Sequence, residues 1–247
     1  STRVRIAHPK NFRYTGATPG GTVDENIVRS APLFAALDDD GKQAVLDSMT
    51  QEDFHRGSVV FREGDQGDRL FIIASGKIKV GHASGDGREN LLAVLGPGET
   101  LGELSLFDPA PRNATATAVA ETTLYSLSQQ DLYRVLAQRP EVARHLLASL
   151  ARRLRKTNDS LADLVFADVP GRVAKNLLDL AQRFGRQSDE GIMVSHGLTQ
   201  EELAQLVGAS RETVNKALAD FAHRNWIRLE ARAVLLLDIE RLRRRAR

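Results

Sequence analysis

Hydrophobic residues follow two different spacings along this chain. Between about residues 54 and 127, short apolar runs such as 59–61 and 70–73 alternate with glycines, and runs of this kind predict a small antiparallel barrel or sandwich. Asp86-Gly87 is typical of a hairpin tip within it. On either side the spacing is helical, which predicts two short helices within residues 26–50 and further helices from about residue 131.

A long helical pattern begins at Pro140 and continues to about Phe166 without a breaker. Its apolar residues form one narrow stripe, and a helix of this length with a narrow stripe predicts packing against a second copy of the chain. A core helix within one subunit is the alternative. Asp168 and Pro170 then predict the cap and first turn of a new helix, so we place a domain boundary here. The stripe consists of Val142, Leu146, Leu147, Leu150, Leu154, Leu161, Leu164 and Val165.

Residues 198–224 have the pattern of a helix-turn-helix. Thr199, followed three residues later by Glu202, predicts a capping box. Gly208 and Ser210 predict a tight turn and the cap of a second helix from 211 to about 224. Side chains near the start of such a second helix contact base edges in the major groove of DNA. The side chains at these positions are Arg211, Glu212, Asn215 and Lys216. For Arg211 and Glu212, the alternative is an exposed pair on the surface.

Two further segments flank this motif. Before it, the polar segment 185–191 predicts a loop, and residues 192–194 predict a strand. After it, the runs 226–229 and 233–237 predict a short hairpin, which makes this a winged helix-turn-helix. Such a wing offers Arg228 or Arg232 to DNA phosphates.

One stretch of the strand-rich region combines a carboxylate with a guanidinium group. Gly-Glu-Leu-Ser at 102–105 is followed by Arg112 and Asn113. Glu103 can accept a hydrogen bond from a ribose hydroxyl, and the planar fork of Arg112 fits a phosphate. A short helix beginning near Glu103 would favour an anion. From the spacing alone, an ordinary surface ion pair between the two side chains is the alternative.

Composition excludes several classes of protein. The 247 residues suffice for two small domains, and the lack of cysteine excludes disulfides and cysteine-ligated iron–sulfur clusters. His145, His196 and His223 have neither metal-ligand nor catalytic-triad spacing, and no Walker-type loop is present, so we expect neither an enzyme nor a metal site. No apolar run approaches the roughly 20 residues that span a bilayer, and no signal peptide is recognisable. We therefore expect a cytoplasmic protein with no membrane partner.

The net charge of only +2 does not by itself indicate a nucleic-acid partner. Charge is instead concentrated in two basic clusters, at residues 152–156 and 241–247. Each cluster fits either an interaction surface or a solvated helix face or tail.

Three motifs together resemble the cyclic-AMP receptor protein (CRP/FNR) family of transcription regulators, most closely its actinobacterial branch. They are the segment 102–105 with Arg112, the segment 168–172, and the segment 198–224. The resemblance covers about residues 27–247. It implies an α+β fold: an N-terminal antiparallel β-roll that binds a cyclic nucleotide (27–139, with flanking helices), a long dimerisation helix (140–167) and a C-terminal winged helix-turn-helix (168–247). A flexible extension (1–26) would precede them.

The resemblance also implies roles for single residues. Glu103 would bind the ribose 2′-hydroxyl and Arg112 the cyclic phosphate of cyclic AMP, the expected effector. Thr157 and Asn158 would reach the adenine, one from each subunit, and Asp168 would mark the hinge. The other ligand-binding residues would be Gly102, Leu104, Ser105 and Asn113. The residues that contact a near-palindrome of TGTGA-type half-sites one helical turn apart would be Thr199, Gln200, Ser210, Arg211, Glu212, Thr213, Asn215 and Lys216.

The implied partners are a second copy of the chain, duplex DNA and RNA polymerase, and no cofactor is implied. Two residues depart from the family pattern: Asn113 stands where relatives usually carry Ser or Thr, and Lys216 where several carry Arg, although lysine offers a point donor and not a fork. These departures leave open a regulator that responds to another nucleotide or effector, or binds DNA without one. Haem held by His55 or His82 is a further alternative, disfavoured by the retained glutamate and arginine.

Overall fold

The computed structural model describes residues 25–35, 37–83, 89–108 and 110–246. Helix α1 (Glu25–Arg29), a 3₁₀ turn (Pro32–Phe34) and α2 (Asp39–Asp47) precede the first strand, where two short helices were predicted. Since α1 begins at Glu25, the first two residues of this helix belong to the extension predicted at 1–26. The rest of that extension and the hairpin tip at Asp86-Gly87 lie outside the described residues.

The described residues of the strand-rich region form two four-stranded antiparallel sheets. The strands are β1 (Thr50–Phe54), β2 (Val59–Phe61), β3 (Arg69–Ser75), β4 (Ile78–Ala83), β5 (Glu89–Leu95), β6 (Thr100–Leu101), β7 (Thr115–Ala118) and β8 (Thr122–Ser128). One sheet has the order β1-β8-β3-β6 and the other β2-β7-β4-β5. Successive residues of a strand face opposite sides: Ile73 of β3 packs with Ile78 and Leu124, whereas Ile72 packs towards the helices with Phe34. The prediction of a small antiparallel β-domain is confirmed.

Helix α3 (Leu104–Phe107) lies within the roll, between β6 and β7, and helices α4 (Gln129–Gln138) and α5 (Glu141–Phe166) follow β8. The long helix agrees with its predicted bounds and spans 26 residues. Near its start, Val142 and Leu146 are buried against the roll. Beyond them its stripe is open to solvent in the single chain, with Leu154 62% exposed.

The C-terminal region combines four helices with a third sheet. Helix α6 (Val169–Phe184) begins as predicted at Asp168, whose side chain accepts a hydrogen bond from the Gly171 amide at 2.9 Å. The other helices are α7 (Gln200–Val207), α8 (Arg211–His223) and α9 (Ile239–Arg245). The strands are β9 (Gly185–Ser188), β10 (Gly191–Val194), β11 (Ile227–Glu230) and β12 (Ala233–Leu236), in the antiparallel order β11-β12-β10-β9.

Segment 185–191 is not the loop that its polar composition predicted. Strand β9 pairs with β10 from Gly185 opposite Val194 to Ser188 opposite Gly191, and residues 189–190 form the turn between them. All four residues of β9 are exposed, so backbone pairing and not side-chain burial makes this strand. The prediction failed because it relied on apolar alternation, which an exposed edge strand does not need.

The helix-turn-helix region packs directly against the β-roll, a contact that the sequence did not predict. Helix α7 lies against β5. Lys79 of β4 donates to Glu202 of α7 at 2.6 Å, and Arg183 of α6 pairs with Glu99. The hydrophobic cluster shared by the two regions includes Leu91, Val94 and Val119 from the roll and Leu198, Leu203 and Ala204 from the C-terminal region. We call this surface the docking contact.

A buried histidine beside the docking contact makes stability depend on pH. His196 is 4% exposed, and its Nδ1 accepts a hydrogen bond from the Leu198 amide at 3.1 Å. Burial first, and then the nearby Lys77, lower the pKa of His196 from 6.5 to about 4, although Glu202 opposes them. In the unfolded chain this histidine binds a proton near pH 6.5, so the folded state loses stability as the pH falls from 6.5 towards 4.

We therefore expect the free energy of unfolding to fall by about 2 kcal/mol between pH 7.5 and pH 5 through this one group. Chemical denaturation at the two pH values measures it. His196→Asn, whose amide oxygen can accept the Leu198 hydrogen bond but does not titrate, should reduce the difference. The control is His223→Asn, at an exposed histidine. An unchanged difference in His196→Asn contradicts the assignment.

Candidate functional site

The segment predicted to bind a ligand forms a tight turn between β6 and α3. Gly102 has a φ of +81°, and a Cβ atom on it would lie 2.6 Å from Nη1 of Arg112. Its carbonyl accepts a hydrogen bond from the same nitrogen at 2.5 Å. A glycine at this position therefore allows both the left-handed backbone and the close approach of the arginine.

Arg112 is buried, and no carboxylate of the described residues is in hydrogen-bonding contact with it. Its side chain donates hydrogen bonds to the Gly102 carbonyl and to the Arg69 carbonyl, the latter at 2.7 Å. Its guanidinium carbon lies 4.4 Å from the centre of the Phe61 ring. Nε is buried with no hydrogen-bond partner among the described residues. Burial lowers the pKa of Arg112, while the charges of Asp68 and Glu103 raise it. Since a buried cation is costly unless paired, this group is suited to hold an anion.

Glu103 is 2% exposed and is bound by a residue that the sequence analysis missed. Arg153 of α5 donates to Glu103 Oε1 at 2.5 Å and to the Thr100 carbonyl at 2.6 Å. Glu103 Oε2 is buried with no hydrogen-bond partner among the described residues. The simple ion pair considered between Glu103 and Arg112 is therefore not what this geometry shows: Glu103 pairs with Arg153, and the Arg112 side chain donates to carbonyls.

One cavity brings these groups together. All six residues predicted at 102–105 and 112–113 line it. Ser105 lies beside Gly67, a second residue that the sequence did not indicate, and a Cβ atom on Gly67 would lie 2.3 Å from the Cβ atom of Ser105. Thr157 and Asn158 do not line it: both are exposed on α5, one turn after Arg153. The apolar part of the cavity wall includes Phe61, Val80, Leu95, Leu101 and Ala114.

The helix-turn-helix has the caps that the sequence predicted. Thr199 Oγ1 accepts from the Glu202 amide at 3.1 Å, and Glu202 Oε2 accepts from the Thr199 amide at 2.7 Å, which completes the capping box. Gly208 forms the turn with a φ of +70°, and Ser210 Oγ accepts from the Thr213 amide at 3.2 Å. These caps fix where α7 begins and ends and where α8 begins.

The first turns of α8 present most of their predicted DNA-binding side chains to solvent. Arg211, Glu212, Thr213 and Lys216 are exposed, whereas Asn215 is half-buried and donates to Gln200 of α7 at 3.3 Å. Glu212 and Lys216 form a pair at 2.7 Å. A pair this exposed contributes little free energy, so both side chains can exchange it for contacts with bases.

The hairpin β11–β12 forms the predicted wing. Arg232 lies in its turn with a φ of +58°. Arg228 pairs with Glu190 at 2.6 Å and with Glu230 at 3.4 Å, and the hydrogen bond and charge of Glu190 raise its pKa. Arg232 is thus the more accessible of the two arginines for a phosphate.

The two histidines considered as haem ligands have surface partners. His55 Nδ1 lies 2.8 Å from Glu121, and His82 Nδ1 lies 2.9 Å from Glu63. Within the described ranges, no three His, Cys, Asp or Glu side chains are grouped so as to hold a metal ion. In the same residues, none of the helices has the length and hydropathy required to cross a membrane.

Comparison with known proteins identifies the family. The cyclic nucleotide-binding domain family matches residues 51–139, and the Crp-like helix-turn-helix domain family matches residues 171–245. The CRP-like cAMP-activated global transcriptional regulator of Mycobacterium tuberculosis is 56% identical over 90% of this chain and 100% of its own length. The cyclic AMP receptor protein of Thermus thermophilus is 36% identical, covering 85% and 97%.

The solved structure of the c-di-GMP responsive global regulator CLP of Xanthomonas campestris has a TM-score of 0.70 and 25% identity, covering 81% of this chain and 99% of its own. These matches confirm the predicted fold class and the prediction that the chain is not an enzyme, because the relatives are transcriptional regulators. The chain belongs to the CRP family of transcriptional regulators, with a cyclic nucleotide-binding domain followed by a Crp-like helix-turn-helix.

Proposed function

We propose that this protein is a homodimeric regulator in which cyclic AMP, bound between Glu103 and Arg112, controls binding to a near-palindromic TGTGA-type operator. The main support is that two buried polar atoms, Arg112 Nε and Glu103 Oε2, have no hydrogen-bond partner in the described part of the chain and belong to side chains that line one cavity. A cyclic nucleotide carries a phosphate for the guanidinium group and a ribose hydroxyl for the carboxylate. The names of the mycobacterial and Thermus relatives support cyclic AMP as the effector.

The remaining ligand contacts follow from the cavity. The backbone at Gly102 and Leu104 lies beside the proposed phosphate position, with Ser105 and Asn113 as further donors. Arg153 already donates to Glu103, so a ribose hydroxyl must share this carboxylate with Arg153 or replace it. Ligand binding thereby acts directly on the long helix α5.

A second candidate effector is a different nucleotide, because the Xanthomonas neighbour is described as responsive to c-di-GMP and Asn113 departs from the usual Ser or Thr. The cavity holds one buried guanidinium group without a carboxylate in hydrogen-bonding contact, which suits one phosphate better than two. Isothermal titration calorimetry with cyclic AMP, cyclic GMP and c-di-GMP separates these candidates. Tightest binding of cyclic AMP supports the proposal, whereas tighter binding of either other nucleotide overturns the choice of effector.

The exposed stripe of α5 supports a dimer. Leu147, Leu154 and Leu161 recur every seven residues and are 65%, 62% and 58% exposed in the single chain. Heptad spacing of apolar residues is the pattern of helices that pair along a common seam. Thr157 and Asn158 lie on the same helix between the last two leucines, where we expect them to reach the adenine of either protomer's ligand.

The DNA contacts are assigned from the exposed face of the helix-turn-helix. Arg211, Glu212 and Lys216 would read bases, since arginine and lysine bind guanine and glutamate accepts from cytosine. Arg232 of the wing would bind a phosphate. The contacts that position the protein on the DNA sugar-phosphate backbone would come from Thr199, Gln200, Ser210, Thr213 and Asn215. RNA polymerase as a partner stays a prediction from the resemblance, and the cytoplasm as location stays a prediction from the sequence.

The docking contact suggests how the ligand controls DNA binding. Glu202 belongs to the first turn of α7, which is expected to lie beside DNA, and Lys79 of the roll binds it. Both side chains are mostly buried, at 23% and 18% exposure. Burial alone would raise the pKa of Glu202, but hydrogen bonds from Lys79 and from the Thr199 amide lower it. The ligand would then act by shifting the population from the docked to a released arrangement.

Lys79→Met tests this coupling. The change removes the ion pair but leaves the capping box intact, so we expect affinity for the operator without nucleotide to rise about fivefold, or about 1 kcal/mol. Fluorescence anisotropy with a labelled duplex measures it. The control is Lys42→Met, because Lys42 has a similar exposure of 26% and pairs with Asp39 far from the docking contact. If Lys79→Met binds the operator no more tightly than Lys42→Met does, the docked arrangement does not restrain DNA binding.

A further inference from the structure

Arg172 joins the ends of two helices that belong to different functional parts. It lies in the first turn of α6, four residues after the hinge residue Asp168. Its Nη1 donates to the Ala167 carbonyl at 2.8 Å, just after the end of α5. Its Nε and Nη2 donate to the carbonyls of Val207 and Gly208, both at 3.1 Å, at the end of α7.

These three bonds have a clear physical basis. The last carbonyls of a helix lack partners within the helix and carry a partial negative charge. The planar guanidinium fork of arginine offers several donors in fixed directions. One side chain therefore satisfies carbonyls at the C-terminal ends of both α5 and α7, and it links these two helix ends in the docked arrangement.

A second contact between α5 and the helix-turn-helix lies at the same place. A Cβ atom on Gly208, the turn residue of the helix-turn-helix, would lie 2.8 Å from Cδ2 of Leu164 of α5. Helix α8 begins only three residues later, at Arg211. The end of the long helix thus touches the turn that sets the direction of the proposed recognition helix.

We propose that Arg172 is a positioning residue, which sets the orientation of α8 relative to the dimer helix and so the half-site spacing that the protein accepts. Arg172 is bound to backbone carbonyls and lies away from the cavity, so it acts neither on nucleotide nor directly on DNA. Lysine at this position keeps the charge but, as a point donor, cannot hold three carbonyls in fixed directions. This inference rests on the proposed dimer and operator.

Because the chain has no cysteine, the orientation can be measured directly. Ala219→Cys, at an exposed position of α8, gives one spin label per protomer, and pulsed electron double resonance with saturating cyclic AMP reports the distance between the two α8 helices. We expect one narrow distance distribution for Arg172 and at least a twofold broader one for Arg172→Lys and Arg172→Gln. The control is Arg224→Lys, because Arg224 pairs with Asp220 of α8 and lies over the ring of Trp226, both within the C-terminal region, and its distribution should stay narrow.

Operator spacing gives a second readout that a general loss of stability would not produce. Each added base pair rotates the half-sites by about 34°, so we expect the unsubstituted chain to favour a six-base-pair spacer over five or seven by about tenfold. Arg172→Lys should reduce this preference below about threefold, while cyclic AMP binds within twofold of normal, which also shows that the variant is folded. If both Arg172 variants retain the spacing preference and a narrow distance distribution, this inference is wrong, while the proposed function still stands. A monomer, or no operator binding by the unsubstituted chain, overturns the proposed function together with it.

Discussion

Arg112→Gln is expected to weaken cyclic AMP binding by about 100-fold, or about 3 kcal/mol, and to abolish nucleotide-dependent operator binding. The loss is large because Arg112 is 5% exposed, and removing one partner of a buried, charge-assisted hydrogen bond costs about 2–5 kcal/mol. Glutamine retains a donor for one of the two carbonyls that Arg112 binds. Calorimetry with cyclic AMP measures the change.

Two further variants sharpen this prediction. Arg112→Lys keeps a point charge without the fork, so we expect an intermediate loss of about tenfold. Arg134→Gln is the control, because Arg134 is exposed and pairs with Asp131 within α4. If Arg112→Gln binds cyclic AMP within threefold of the unsubstituted chain while remaining folded, the phosphate is not held where we place it.

The double substitution Leu154→Glu and Leu161→Glu is expected to give a monomer whose operator affinity is at least 100-fold lower. Two like charges in each copy of a heptad seam prevent close packing of α5 against α5, and a monomer loses the effective concentration by which one bound half-site assists the second. Light scattering after gel filtration gives the mass, and anisotropy gives the affinity.

The matched control for the seam is Leu92→Glu, since Leu92 of β5 is 54% exposed and lies outside α5. This variant should remain dimeric. A double variant that elutes as a dimer would show that the exposed stripe of α5 is not the subunit interface.

Features set by local spacing were accessible from the sequence. The bounds of α5 follow from one unbroken stripe after Pro140, and the caps at Thr199 and Ser210 follow from residues only three positions apart. Glu103 and Arg112 were identified because their motif resembles that of a known family. Their burial in the structure is what makes the two side chains suited to bind a ligand.

Features set by distant contacts were not accessible. Arg153 looked like one member of a basic cluster, because its partner Glu103 lies 50 residues away and meets it only once α5 packs on the roll. The pair Lys79–Glu202 spans 123 residues. Strand β9 was missed for a different reason: it is an exposed edge that no hydrophobic pattern marks.

The two residues that depart from the family pattern, Asn113 and Lys216, lie where they can change the strength of binding without disrupting the fold of either site. Asn113 lines the cavity but is exposed, whereas its neighbours Arg112 and Ala114 are buried. Lys216 is 75% exposed, and within the described ranges its ion pair is with Glu212 of its own helix. We expect each residue to alter the strength or selectivity of one contact and not the fold.

The most direct test of whether cyclic AMP controls DNA binding is a titration of a labelled TGTGA-N6-TCACA duplex with this protein, with and without cyclic AMP. The salt concentration must be the same in both arms, because phosphate contacts make affinity steeply dependent on salt. We predict that cyclic AMP tightens binding at least tenfold, which corresponds to about 1.4 kcal/mol of coupling between the two sites. Equal affinity with and without cyclic AMP would contradict it.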